Sequence, residues 1–320
     1  MRTLGLFLYL CLSIILSANA QDVRNPDLPE WLADHENVNA GILMVPENHE
    51  DPRGRKIGIA YAVIQRRNQQ SRKHPMILFS GGPGERSLVP GVIGFLSEHP
   101  FLEERDFILF DQRGIGYSSP LPDMSMDTFL VMAADADPDR ERILMDSVIR
   151  KYQKLCARSN IDPQFYNTIQ NARDVGMLFE HLGYEKYNLF GGSYGTRLAR
   201  VVQDSFPQFV HASILDSPAP LSGDFLVNRL ESYNLALGRI FDYCDDTPEC
   251  RKKYPKLKED YFDAIRRLEK NPITSRVNDS IDFVINAQDG IYLLRRLLYM
   301  GNAREKTPEM IQALHTGSGE

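Results

Sequence analysis

The chain has 320 residues, 42% of them apolar and 25% charged, with a formal net charge of −6. That is ample material for one large domain or a domain carrying an insertion. No block of Lys or Arg is long enough to neutralise a phosphate backbone, which excludes a nucleic-acid partner, and the mild acidity favours solubility without selecting a substrate.

The amino terminus reads MRTLGLFLYLCLSIILSANA. Arg2 supplies a short positive segment, Leu4 to Leu16 an apolar run, and Ala18-Asn19-Ala20 the small-x-small pattern of signal peptidase. A signal peptide over residues 1–20, cleaved after Ala20, is expected, and with it a secreted or periplasmic location. The run is shorter than the roughly 18 apolar residues a bilayer span needs, so no stable membrane span is expected after cleavage.

Residues 21–40 read as an irregular lead-in. Gly41 to Val45 and Lys56 to Ile64 are strand candidates rich in Ile, Val and Tyr. Pro75 to Ser80 and Asp106 to Phe110 are short, nearly continuous apolar runs, each followed by glycine-containing turns, the pattern of strands buried on both faces. Val175, Leu178, Phe179 and Leu182 follow helical spacing, and Gly183 sits where a helix ends. Tyr187 to Gly191 is a strand, Thr196 to Phe206 a helix stopped by Pro207, and His211 to Asp216 a further strand. This alternation predicts an α/β fold: a mostly parallel central sheet with helices on both faces, with its core over 41–221. Residues 222–320 carry helical patterns, such as Tyr261, Ile265 and Leu268, and read as an inserted helical cap with an incomplete return to the core.

Export permits disulfides. Cys244 and Cys250 flank the turn-like Asp245-Asp246-Thr247-Pro248-Glu249 and are placed to close a short loop between two helices. Two free thiols are the alternative, because spacing does not determine connectivity. Cys156 is left over, and an odd cysteine in an exported protein suggests a missing partner. Asn278-Asp279-Ser280 matches a glycosylation sequon.

Gly191-Gly192-Ser193-Tyr194-Gly195 is a G-x-S-x-G sequence between a predicted strand and a predicted helix, the context a nucleophile elbow requires. The sharp turn brings backbones too close for a Cβ at the flanking glycines and raises the Ser193 hydroxyl at the top of the sheet. The Tyr194 N–H then faces a developing oxyanion, helped by the positive end of the helix. Ser80-Gly81-Gly82-Pro83-Gly84 follows another strand and is the source of the second oxyanion donor, Gly82; such a donor contributes about 3 kcal/mol. Asp111-Gln112-Arg113-Gly114 lies at the same end of the sheet and reads as a charge-stabilised turn rather than catalytic machinery.

SGGPG, DQRGIGYS and GGSYGTRLA in this order resemble the proline iminopeptidase and tripeptidyl aminopeptidase group of α/β-hydrolases, and FDYCDDTPECRKKYP is similar to the cap-entry segment of the tripeptidyl branch. The resemblance covers roughly residues 40 to 300. It implies a serine exopeptidase that takes a peptide or small acyl substrate without metal or organic cofactor, with Ser193 as nucleophile and Gly82 and Tyr194 as oxyanion donors. One departure is Glu85-Arg86, two charges where the family's loop continues with small residues.

A serine nucleophile needs a histidine base and an orienting acid, in the order Ser, acid, His in this fold. Asp216, at the end of its strand, and His315, near the carboxyl end, are the acid and base candidates this chain offers. His211 opens a parallel strand and belongs at the opposite end of the sheet. In the relatives acid and base follow the cap on further strands, and those last strands are missing here. The chain is therefore expected to be an amino-terminal piece with little turnover. A carboxylesterase or lipase and a non-catalytic hydrolase-like binding protein are the alternative functions.

Overall fold

In each buried strand of this chain, odd- and even-numbered residues face two different apolar layers, as a strand period of two requires. The computed structural model describes residues 28–317 apart from 34, 134–137, 223 and 278–280; the expected signal peptide and the sequon lie outside the described residues. The chain divides into two compact units.

The first unit holds the described residues up to Asp123 together with Tyr152–Leu221. Its strands are β1 (Val38–Pro46), β2 (Lys56–Ile64), β3 (Met76–Phe79), β4 (Phe107–Phe110), β5 (Tyr187–Gly192) and β6 (Val210–Asp216). They form one sheet in the order β1-β2-β4-β3-β5-β6. β1, β2 and β4 pair antiparallel, and β4, β3, β5 and β6 run parallel. On one face Ile57, Ile59, Ile77, Phe79, Ile108 and Phe110 pack with Val175, Leu178 and Phe179 of a helix over Thr168–Leu182 and with Leu198, Ala199 and Val202 of the helix Tyr194–Ser205. On the other, Ala60, Ala62, Ile64, Met76, Phe107 and Leu109 meet Leu32 of α1 (Glu30–Ala33) and Ile93 and Leu96 of α2 (Pro90–Ser97). Gly183 caps the Thr168–Leu182 helix at φ 71°, its N–H donating to the Phe179 carbonyl.

Most boundaries agree with the sequence expectation to within two residues; the amino-terminal part departs further. β1 begins at Val38, paired with Ile64, instead of at Gly41, and the lead-in contains α1. As an edge strand with one neighbour, β1 is mostly half-exposed and carries a weak apolar alternation. β6 forms the other edge, with Ile214 47% and Leu215 39% exposed.

The second unit combines Met124–Lys151 with the residues from Ser222 onward. It contains α3 (Ser125–Ala133), the first part of α4 (Pro138–Arg158), α7 (Phe225–Asp246), α8 (Pro248–Lys253), α9 (Leu257–Lys270), α10 (Ala287–Leu297) and α11 (Ala303–Thr316); α5 and α6 are the Thr168–Leu182 and Tyr194–Ser205 helices above. Tyr233, Leu237, Phe241, Tyr261, Leu268 and Leu294 are among its buried core residues. The segment 124–151, expected within the core over 41–221, belongs here instead. Nor is the stretch after Ser222 helical throughout: β7 (Ile273–Val277) and β8 (Ile281–Ile285) pair antiparallel, as the β-branched and aromatic residues Ile273, Thr274, Phe283 and Val284 favour. Cys244 and Cys250 form a disulfide joining α7 to α8. Cys156, in the first unit, is 1% exposed and free. Burial, with Cys156 adding to it, pushes the neighbouring Tyr152 hydroxyl up to about 12, and Cys156 itself fills the core as a small apolar residue. Among the described residues no helix is long and apolar enough to cross a membrane.

The Asp-Gln-Arg-Gly turn after β4 is tied down by Arg113, which is 2% exposed. Its Nε and Nη2 donate to Asp174 Oδ2 and Oδ1 at 2.8 and 2.6 Å, and its Nη1 to the carbonyls of Glu47 and Phe165 at 2.6 and 2.8 Å. A lysine cannot reproduce that fork. Arg113→Lys is expected to cost about 3 kcal/mol in urea unfolding, because it strands buried acceptors and a buried carboxylate.

At the start of α10, Asn286 and Asp289 form a reciprocal capping box. Burial lifts the Asp289 carboxyl to about 6; the Asn286 N–H opposes this, and the charge of Glu141 adds to it. A carboxyl raised in the folded state contributes stability that is complete in acid and lost as pH rises through about 6. Asp289→Asn is therefore expected to abolish a decline of about 1 kcal/mol between about pH 4 and pH 6, after allowance for solvent screening at this half-exposed group. Thermal unfolding against pH measures it.

Candidate active site

Ser193 joins β5 to α6 at φ 51°, ψ −118°, a conformation that side chains rarely adopt. Neighbouring backbone enforces the turn. A Cβ on Gly191 would lie 2.5 Å from the Gly195 carbonyl oxygen, and one on Gly195 would lie 2.0 Å from the Phe79 carbonyl oxygen. The Ser193 N–H donates to the Asp216 carbonyl at 2.9 Å, joining the elbow to the end of β6. Thr196 Oγ1 donates to the Ser193 carbonyl at 2.6 Å and accepts from the Ala219 N–H at 2.9 Å. The Ser193 side chain makes no capping hydrogen bond and is exposed. Its hydroxyl therefore stands open at the amino end of α6, where backbone N–H groups lack intrahelical partners and the helix dipole is positive.

The loop after β3 closes over this serine. A Cβ placed on Gly81 would be 3.3 Å from Ser193 Cβ, 3.4 Å from the Gly192 carbonyl oxygen and 3.2 Å from Glu85 Oε2. Gly82 has φ 99°, which favours glycine. Gly82 and Tyr194, the two donors expected from the sequence, are the residues that follow Gly81 and Ser193, which approach each other here. Asp111, fully buried, holds the far end of the same loop: it accepts from the N–H groups of Ser87 and Leu88 at 2.8 and 3.1 Å and of Tyr117 at 3.0 Å. Burial pushes its carboxyl upward, against these N–H groups and Arg86, which lower it. Arg86 lies over the Tyr117 ring, its guanidinium carbon 4.8 Å from the centroid.

Asp216 is exposed and pairs in register with Gly192, at the serine's end of the sheet; its Oδ1 accepts from Ser217 Oγ at 3.1 Å. All seven histidines lie within the described residues, and none bonds to Ser193 or Asp216. His49 meets Asp174 at 2.7 Å, His181 the Tyr61 hydroxyl at 2.8 Å, His35 the Glu36 carbonyl at 2.6 Å, and His99 accepts from the Phe101 N–H at 3.2 Å. His211 lies against His74, the rings tilted at 50° with centroids 4.6 Å apart, at the strand end away from the elbow. His315, in the second unit, has Nδ1 3.8 Å from Asp260 Oδ1 and unbonded.

Two parts of the site escaped the sequence. Asp174, the anchor of Arg113, sits beside Val175 on a helix that reads as simply amphipathic; a carboxylate at a buried position was the available signal. The approach of Glu85 to Ser193 depends on how the loop folds back, which spacing does not encode.

Residues 74–276 match the model of a family described as alpha/beta hydrolase fold. The chain is 30% identical over 196 residues to the tripeptidyl aminopeptidase of Streptomyces coelicolor, covering 58% of this chain and 36% of that protein. It is 27% identical over 201 residues to serine protease Hip1 of Mycobacterium tuberculosis, again with 58% of this chain and 36% of the relative covered. Among solved structures, proline iminopeptidase of Mycobacterium smegmatis aligns over 85% of this chain and 70% of its own, at 17% identity and a TM-score of 0.38.

Glycine is required at two of the three elbow positions. Gly195→Ala is expected to cost at least about 3 kcal/mol, since a backbone oxygen occupies the Cβ site. Gly192→Ala, which meets nothing within 4 Å, is expected to stay within about 0.5 kcal/mol of the parent. Denaturant titration of the two variants side by side separates a constrained elbow from an ordinary turn.

Proposed function

We propose, for a chain that belongs to the alpha/beta hydrolase fold family, that it is the nucleophile-bearing part of an exported serine peptidase acting on peptide amino termini, with Ser193 as the attacking group. The observation that carries this is the strained Ser193 backbone at the head of α6, with an uncapped, exposed hydroxyl. The similarity to a tripeptidyl aminopeptidase and a serine protease supports peptides as the substrate class. The signal-like residues 1–20 and the Cys244–Cys250 disulfide support export.

In this scheme Ser193 Oγ attacks the scissile carbonyl carbon and its proton passes to a base. The carbonyl oxygen takes the negative charge and is received by the N–H groups of Tyr194 and Gly82. Collapse expels the amine, which takes the proton from the base. Water then attacks the acyl-enzyme, the base again accepting a proton, and release of the acid restores Ser193.

The first unit supplies nucleophile and oxyanion donors; its histidines are held elsewhere, and Asp216 has none to orient. Full catalysis in this scheme takes its base from outside the first unit, from a longer polypeptide in preference to His315, with Asp216 or a further carboxylate orienting it. The 36% coverage of the curated relatives accords with that. The same placement of the histidines favours a second possibility, a hydrolase-like protein used for binding.

A fluorophosphonate probe read by intact mass, with Ser193→Ala as control, tests the proposal. The folded 320-residue chain is expected to form little adduct, and the natural polypeptide that carries a competent base is expected to form one that Ser193→Ala removes. A Ser193-dependent adduct on the 320-residue chain would return the base to this chain's own histidines, His315 first. No adduct on either would decide for the binding protein.

A further inference from the structure

Glu85 is an exposed carboxylate beside Ser193 that no structural partner neutralises. Its Oε2 and the Ser193 Cβ lie 3.2 and 3.3 Å from one and the same point, the Cβ position that glycine leaves empty at Gly81. The carboxylate and the serine side chain are therefore no further apart than those two distances together. The adjacent cation does not compensate it: Arg86 is turned to the Tyr117 ring and acts on Asp111. Among the described residues Glu85 has no ion pair and no side-chain hydrogen bond, and its own backbone N–H bonds back to Gly81.

A carboxylate in this place works against the chemistry of a neutral acyl donor. The tetrahedral intermediate puts negative charge on an oxygen beside the same loop, and like charges at such separations repel by an amount that grows once substrate excludes water. A substrate that carries its own cation next to the scissile carbonyl removes the conflict, pairing with Glu85 and screening the oxyanion from it. The geometry limits which cation fits. The α-ammonium of a single amino-terminal residue is two bonds from its carbonyl carbon, within the span between Ser193 and Glu85. In a released tripeptide the ammonium lies about 10 Å from the scissile carbonyl, at roughly 3.3–3.6 Å per extended residue, and overshoots Glu85.

We propose that Glu85 is a specificity-determining residue that binds the α-ammonium of a single amino-terminal residue whose carbonyl is presented to Ser193, and that it selects against neutral and amino-blocked acyl donors. This rests on Ser193 being the nucleophile.

Equilibrium binding of boronic acids tests it on the 320-residue chain, because addition of Ser193 Oγ to boron needs no leaving group and releases its proton to solvent. Two probes are titrated calorimetrically: an α-aminoalkyl boronic acid with a free amine, and its N-acetyl derivative. The parent chain is expected to favour the free amine by roughly fivefold or more, the worth of one charge-assisted contact at a partly exposed site. Glu85→Gln is expected to bring the two probes to within about twofold, with the N-acetyl form bound as well as or better than by the parent, while Glu85→Asp retains part of the preference. Ser193→Ala is expected to remove binding of both. A preference for the amine that is absent in the parent, or that survives Glu85→Gln, would overturn the role of Glu85 while leaving Ser193-dependent binding intact. Binding that is absent both in this chain and in the longer polypeptide that carries the base, or that is indifferent to Ser193→Ala, would overturn the assignment of Ser193 itself.

Discussion

The approach of the first turn of α6 to the carboxyl end of β3 governs the arrangement of this site. With the Phe79 carbonyl oxygen 2.0 Å from where a Cβ of residue 195 would lie, only glycine permits the contact. That contact places the chain leaving β3, Ser80 to Gly84, directly against the serine that opens α6. The proposed nucleophile and oxyanion loop come from segments more than a hundred residues apart in sequence, and they meet because β3 and β5 are parallel neighbours in register, Phe79 opposite Gly191. The strained Ser193 backbone follows from the same geometry: a strand must turn into a helix within one residue, because both ends are already packed. Such strain persists only where the surroundings over-determine it, and here Gly191, Gly195, the Asp216 carbonyl and Thr196 do so.

Buried charge makes this frame rigid without entering the chemistry. Arg113 and Asp174 meet in a two-pronged ion pair at nearly zero exposure, with His49 on the same carboxylate. Isolated, either charge would be prohibitive to bury; paired and with the remaining guanidinium hydrogens on backbone carbonyls, they fasten β1, the turn after β4 and α5 together. Asp111 does the same for the far end of the oxyanion loop through three backbone N–H groups. The turn thus serves the site indirectly, by fixing the loop that carries Gly82.

Much of this was legible in sequence where a rule is local. G-x-S-x-G between strand and helix, the apolar runs closing on glycine, Gly183 as a cap and the Cys244–Cys250 spacing all depend on residues within one turn or one strand. What was not legible depends on partners far along the chain. β1 begins early because Val38 finds Ile64, and nothing in residues 38–41 announces it. Met124–Lys151 carries no sign that it belongs with residues beyond Ser222. The β7–β8 pair hides among helices because two five-residue segments are too short to establish a period. That Cys156 packs as a buried core residue could not be read from a count of cysteines.

The distribution of charge around Ser193 has a consequence for any base that reaches it. Two cations of this region are engaged, Arg113 by Asp174 and Arg86 by the Tyr117 ring and Asp111. The anions at the mouth, Glu85 and Asp216, are exposed and face no cation in these contacts. A neutral imidazole that takes the serine's proton becomes a cation, so a negative mouth lowers the energy of that step, just as it draws in an ammonium-bearing substrate. In the proposed mechanism the same field opposes the oxyanion, which the N–H groups of Gly82 and Tyr194 and the amino end of α6 would stabilise. Catalysis at such a site is balanced between two charges that form together, a cation on the outer side and an anion on the inner, and the loop that holds Glu85 next to Gly82 sets the boundary between them.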